Sequence, residues 1–186
     1  MKIILASASP RRKEILSRIV AEFETVPSLA DERVGEGLSP AEIVKTLARR
    51  KAEEVRARFP DAAVLGADTI VYFEGKVLGK PKDEEDAAET LHRLSGRTHS
   101  VYTGYCLLAA GDSYSGCVRT DVRFNKLSES FIAQYVASGS PLDKAGSYGI
   151  QDDKRLVKNF EGSYTNIVGL PEEEIRDLFK RVGLLE

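Results

Sequence analysis

One carboxylate inside an apolar run is the first place where this sequence could do chemistry. Asp68 interrupts Leu65-Gly66-Ala67-Asp68-Thr69-Ile70-Val71, the middle of a Val- and Ile-rich stretch over residues 62–73. That stretch reads as a buried central strand. An aspartate there is costly unless it is paired, hydrogen-bonded or metal-bound. Two readings are open. Asp68 is either solvated at a strand end or bulge, or held at the rim of a cleft. Gly66 leaves room for a second backbone or a ligand to come close.

The remaining charged candidates sit near element ends. Ser7-Ala8-Ser9-Pro10-Arg11-Arg12 follows a short apolar segment and precedes a helical pattern. Ser9 suits an N-cap and Pro10 the first helical position. Such a junction points free N–H groups and a positive dipole end at one spot, where anions bind. Arg adds a planar fork that takes two phosphate oxygens at once. The alternative is a plain cap with a solvated Arg pair. Glu32 lies in a polar loop over residues 27–37, Lys51 late in the next helix, and Lys80 between Gly79 and Pro81. Of Arg49, Arg50 and Lys51, most should form a solvated face, with one lysine free to lean into a cleft. The run Leu142-Asp143-Lys144-Ala145-Gly146-Ser147-Tyr148-Gly149-Ile150-Gln151 reads as a ligand-contacting loop or as a plain Gly-rich turn. Cations at Arg11, Arg12, Lys51, Lys80 and Lys144 with carboxylates at Glu32 and Asp68 are what a polyphosphate and a hard divalent ion need together.

The elements that must position these groups follow from periodicity and capping. Strands are expected at residues 2–6, 23–26, 62–73, 77–78, 100–110, 114–124, 156–160 and 166–168. The first helix buries Ile15, Leu16, Ile19 and Val20. The second opens on the capping box Ser39-Pro40-Ala41-Glu42 and buries Ile43, Leu47, Ala48, Ala52 and Val55. A third covers residues 83–94 with an acidic first turn. Ser128 caps a fourth, which carries Phe131, Ile132, Tyr135 and Val136, and the last begins at Pro171. The order predicts an α/β fold, a mixed twisted sheet flanked by helices, as one domain over residues 1–186.

Composition excludes several functions. The 186 residues are 42% hydrophobic and 30% charged, with a net charge of −2, so no global field draws the chain to nucleic acid or a membrane. No apolar run nears the roughly 18 residues that span a bilayer. The N-terminal apolar segment is too short for a signal peptide. Cys106 and Cys117, on neighbouring strands, are expected to be reduced apolar filler. His92 and His99 fit no metal-ligand spacing. The GxxxxGK[ST], GxGxxG and GxSxG motifs are absent, which argues against a Walker-type NTPase, a dinucleotide enzyme or an α/β-hydrolase.

Six motifs in order carry a family resemblance: residues 5–14 (Leu5 to Glu14), Gly66-Ala67-Asp68-Thr69, Gly79-Lys80-Pro81, Leu94-Ser95-Gly96-Arg97-Thr98-His99, Asp143-Lys144-Ala145-Gly146 and Gly149-Ile150-Gln151. Together they resemble the Maf family of nucleoside triphosphate pyrophosphatases. The resemblance implies two lobes with a central cleft, similar to inosine triphosphate pyrophosphatases. It also implies a cytoplasmic housekeeping enzyme that cleaves a nucleoside triphosphate between its α and β phosphates, with Mg²⁺ or Mn²⁺. By motif, Asp68 is the proton acceptor that activates water, and Asp68 or Glu32 helps hold the metal. Arg11, Thr69 and Gln151 match positions that set base specificity, while Ser7, Arg12, Lys51 and Lys80 match polar positions of the cleft. The Gly-Ile-Gln form resembles the branch acting on dTTP and UTP. Ser147 and Asp152 depart from the small residues usual at their positions. A nucleotide-sensing regulator of cell division that acts by binding is the competing reading, and a homodimer is one option for the quaternary state.

Overall fold

The computed structural model describes residues 1–186. Its centre is a seven-stranded mixed sheet in the order β2-β1-β3-β5-β6-β7, with β4 also on β3. The strands are β1 (Ile3–Leu5), β2 (Glu24–Thr25), β3 (Ala63–Phe73), β4 (Lys76–Leu78), β5 (Thr98–Ala109), β6 (Asp112–Phe124) and β7 (Val157–Glu161). β1 pairs in parallel with β2 and β3, and every other pairing is antiparallel. The helices are α1 (Pro10–Ser17), α2 (Pro40–Arg58), α3 (Glu84–Leu94), α4 (Glu129–Ala137), α5 (Tyr164–Val168) and α6 (Glu172–Arg181), and two 3-10 turns follow α4. The α/β class with a mixed sheet and flanking helices is as expected.

The caps form as read. Ser9 accepts from the Arg12 N–H with Pro10 opening α1, and Ser39 and Glu42 close a reciprocal capping box on α2. Ser128 caps α4. Two expectations change. Residues 166–168 are helical, part of the single turn α5 capped by Ser163; Asn166-Ile167-Val168 is too short a run to tell the two periods apart. On α2, Val44 is buried where Ile43 was expected; Ile43 lines the cleft instead.

The sheet register opens a gap. β1 covers Ala63 to Leu65 on one edge of β3, and β4 covers Val71 to Phe73. Between them, residues 66–70 find ladder partners only on β5. Three cores flank this gap. Ile15, Leu16, Leu65, Ala67 and Phe179 pack on one face of the β1 half, and Ile4, Ala48, Ala52, Val55 and Val64 on the other. Val71, Leu91, Phe124, Ile132 and Tyr148 belong to the third, at the β4 half. The long strand β3 runs through both halves, so the halves are two lobes and the gap is the cleft. Because side chains alternate along a strand, Gly66 and Asp68 share the face that meets α2.

Candidate active site

α2 lies close enough to the sheet to touch its backbone. A Cβ on Gly66 would stand 2.2 Å from the Ala48 carbonyl oxygen, and one on Gly104 would stand 2.4 Å from the Val44 carbonyl. The close approach expected at Gly66 is therefore made by a helix. It delivers Lys51, one turn beyond Ala48, to Asp68.

Lys51 Nζ donates to Asp68 Oδ1 at 2.6 Å and meets Glu32 Oε1 at 2.8 Å. Asp68 is 8% exposed, so the reading of a solvated Asp is overturned. Its charge is balanced inside the protein, as burial demands. The hydrogen bond from Lys51 also holds the Glu32 carboxyl below the usual carboxylate range. Glu32 sits on an exposed loop, and Arg50 tethers that loop by donating to the carbonyl oxygens of Asp31 and Arg33 on either side of it. Arg50 thus has a positioning task that its place in a basic run hid.

Arg12 closes the opposite wall. Its Nε donates to the Gly169 carbonyl at 2.8 Å, and its terminal nitrogens donate to Thr69 Oγ1 at 3.0 Å and Ser7 Oγ at 3.4 Å. Burial lowers its pKa, and Asp68 works against that shift. Ser7 also accepts from the Ser9 N–H at 3.1 Å, so the β1–α1 junction is tied together around the arginine. Thr69 pairs with Thr103 at 2.9 Å, and Thr103 donates to the Asn166 carbonyl at 3.0 Å. Asn166 is fully buried and donates to Val101 O and Thr120 Oγ1. Sequence reasoning passed over Thr103, Asn166 and Gly169. The spacing Ser163-x-x-Asn166 is a weak capping signal, and nothing local points to the other two.

The cleft measures about 830 Å³ and brings together Ser7, Arg11, Arg12, Glu32, Lys51, Asp68, Thr69, Lys80 and Gln151. Every residue singled out as a site candidate is therefore in one place. Arg11 lies 4.0 Å from Asp143. Lys80 and Gln151 are exposed. Lys144 behaves differently from the expected phosphate ligand. Its ammonium is enclosed by Ser140 O at 2.6 Å, Asp143 Oδ1 at 2.9 Å and Asp152 Oδ2 at 3.5 Å. Those acceptors consume its donors, so it pins the loop. Both cysteines are free and out of register, Cys106 facing Ser115 and Cys117 facing Gly104. His99 is buried against Phe124 and Tyr148, bonding the Tyr148 hydroxyl at 2.6 Å, and His92 faces Glu129 at the surface.

One half of the cleft offers cations and a helix N-terminus, the other a carboxylate pair around an ammonium. That arrangement suits an anionic substrate and a proton acceptor at the same spot. The Maf-like protein family model matches residues 2–182. A dTTP/UTP pyrophosphatase of Thermococcus kodakarensis is 50% identical over 183 residues, 97% of this chain and 96% of that protein. A dTTP/UTP pyrophosphatase of Bacillus cereus is 50% identical over 171 residues, 91% of this chain and 90% of that protein. Among solved structures, the Staphylococcus aureus Ham1 protein covers 67% of this chain and 72% of its own, at 15% identity and a TM-score of 0.46.

Proposed function

The chain belongs to the Maf family, and from that premise we propose that it is a nucleoside triphosphate pyrophosphatase that hydrolyses dTTP and UTP to the monophosphate and pyrophosphate. The single observation that carries the chemistry is Asp68, a buried carboxylate on the cleft wall, 2.6 Å from the Lys51 ammonium. In this reading Asp68 takes the proton from the attacking water. Lys51 balances the charge of Asp68 and orients it in a site where an unpaired carboxylate would be unfavourable. Arg12, locked by Gly169, Thr69 and Ser7, holds a fixed positive field towards phosphate oxygens. The exposed Lys80 supplies further charge for the leaving pyrophosphate, and Arg11 and Thr69 stand with Gln151 as the positions that set base specificity.

A divalent cation fits the donor set. Glu32 and Asp68 are hard oxygen donors that already converge on one cation, the Lys51 ammonium. They are the residues that would hold Mg²⁺ or Mn²⁺. When bound, such an ion would neutralise charge on the phosphoryl oxygens. Gln151 reads the base: its amide presents one acceptor and two donors, enough for the O4 acceptor and N3–H donor of thymine or uracil. Residues 1–186 would act as one domain. A cytoplasmic setting, where triphosphates are found, suits this activity; no helix is long and apolar enough to cross a membrane.

Incubation with dTTP and Mg²⁺ followed by anion-exchange chromatography tests the proposal. The expected products are dTMP and pyrophosphate. Appearance of dTDP as the first product would overturn the assignment of the cleaved bond. Binding of dTTP without any turnover would return the chain to the nucleotide-sensing reading.

A further inference from the structure

Gln151 makes no hydrogen bond to the rest of the protein, yet on the reading above it must discriminate one pyrimidine edge from another. An exposed amide on a free turn would sample many poses and distinguish little. The turn that carries it, however, is gripped from below. Tyr135 on α4 is buried, 7% exposed. Its hydroxyl donates to Asp152 Oδ2 at 2.7 Å and accepts from the Gly149 N–H at 3.1 Å. One oxygen atom therefore bonds the residues on either side of Ile150-Gln151. The Asp152 N–H closes the same turn by donating to the Gly149 carbonyl at 3.0 Å. The clamp leaves no room at its waist. A Cβ on Gly149 would come within 2.9 Å of both Asp152 Oδ1 and Lys144 Cε.

Asp152 is not a stray surface acid. Its side chain is 17% exposed, and the same Oδ2 also accepts from Ser140 Oγ at 2.7 Å with the Lys144 ammonium at 3.5 Å. Tyr135 in turn stacks on Phe131, ring centroids 5.9 Å apart and planes 12° from parallel. Burial first, and Asp152 second, push the phenol pKa upward, so the hydroxyl stays protonated and donates its hydrogen bond to Asp152.

Resting on the proposed pyrophosphatase activity, we propose that Tyr135 is a positioning residue for base selection: by holding Gly149 and Asp152 together it sets the pose of Gln151 and so the preference for the thymine or uracil edge. Cytosine is the sensitive competitor. It has the same size, but it replaces the O4 acceptor and N3–H donor by an amino donor and a ring-nitrogen acceptor. Only an amide held in one orientation tells the two apart.

The test is Tyr135→Phe, which keeps the ring and its stack and deletes both hydrogen bonds. The ratio of kcat/KM for dTTP to that for dCTP should fall by about tenfold, the order expected when one hydrogen bond that fixes the amide is lost, with the loss carried by KM. Asp152→Ala cuts the same link from the loop side and should lower the ratio by a similar factor. The double variant should add little to either single change, because both act through one contact. Asp152→Asn, which still accepts from the hydroxyl, should keep most of the preference. An unchanged ratio in both Tyr135→Phe and Asp152→Ala overturns the inference, as does a uniform fall in kcat for every base. If Tyr135→Phe does not fold, the Asp152 pair decides by the same criterion. Wild-type protein without turnover of dTTP is a failure of the activity assignment instead, and is read first.

Discussion

Replacing Asp68 by Asn isolates the charge at the centre of the cleft, because the two side chains have nearly the same volume. The cost in stability follows from how Lys51 is shared. Breaking a buried ion pair usually costs about 3–5 kcal/mol, since one charge is left alone. Here the ammonium keeps Glu32 at 2.8 Å, so it is not abandoned. What is lost is the ion–ion part of the pair: Asn still accepts from the ammonium, but as a neutral acceptor, so the bond falls from the upper part of the charged range of about 1.5–3 kcal/mol towards about 1 kcal/mol. The expected destabilisation is about 1–2 kcal/mol, a fall of a few degrees in Tm for a chain of this size. The rate should respond far more. A general base contributes about 10²- to 10⁴-fold, and Asp68 also supplies half of the carboxylate charge around Lys51. Pyrophosphate release should drop by about 10³-fold or more, equivalent to about 4 kcal/mol of transition-state stabilisation. Calorimetry should show dTTP still binding, and thermal denaturation should show a folded protein. A folded, pure Asp68→Asn enzyme within tenfold of wild type would remove Asp68 from the chemistry.

Changing Gln151 to Glu should cost little in the free protein, where the side chain is exposed, and act when substrate binds. A carboxylate facing O4 is repelled by about 1–3 kcal/mol, so kcat/KM for dTTP and UTP should fall roughly 5- to 150-fold. GTP should lose less or gain; an equal loss on both bases would mean that Gln151 only supports its loop. Burial holds His99 at a pKa of about 4, below the ordinary value near 6.5. The unfolded chain therefore binds the extra proton first, and stability is full above pH 6.5 and declines as pH falls towards 4. Urea unfolding at pH 7 and pH 5 should differ by about 2 kcal/mol, and His99→Gln should flatten that difference; an unchanged slope in the variant would refute the assignment. Ser147 adopts φ +62° with a buried hydroxyl that finds no partner. Ser147→Gly should raise stability by about 1 kcal/mol by releasing the left-handed strain, and a lower Tm would count against it.

Much of this protein was legible one residue at a time. The caps at Ser9, Ser39 and Ser128 form because a hydroxyl needs only an N–H three residues on. β3 and the long β5–β6 hairpin form where alternating or continuous apolar runs demand strands. The candidate residues from Ser7 to Gln151 were picked out by charge, small neighbours and motif, and all of them line the cleft. The α5 turn was not legible, since five residues carry too little periodicity to separate it from a strand. The role of Lys144 was also hidden, because a sequence counts charges without showing which acceptors surround them; Asp143, Asp152 and Ser140 do so here. Strand order lay further out of reach. The opening on β3 exists because its pairing with β1 ends at Leu65 and its pairing with β4 begins only at Val71, a matter of which strands become neighbours. Likewise Lys51 reaches Asp68 only because Gly66 and Gly104, on two adjacent strands, let α2 sit against the backbone. Capping and periodicity act across a few residues and are written locally. The pairing of an ammonium with a carboxylate 17 positions away, and of Arg12 with a carbonyl 157 positions away, is set by how sheet and helices pack, and only the folded chain decides it.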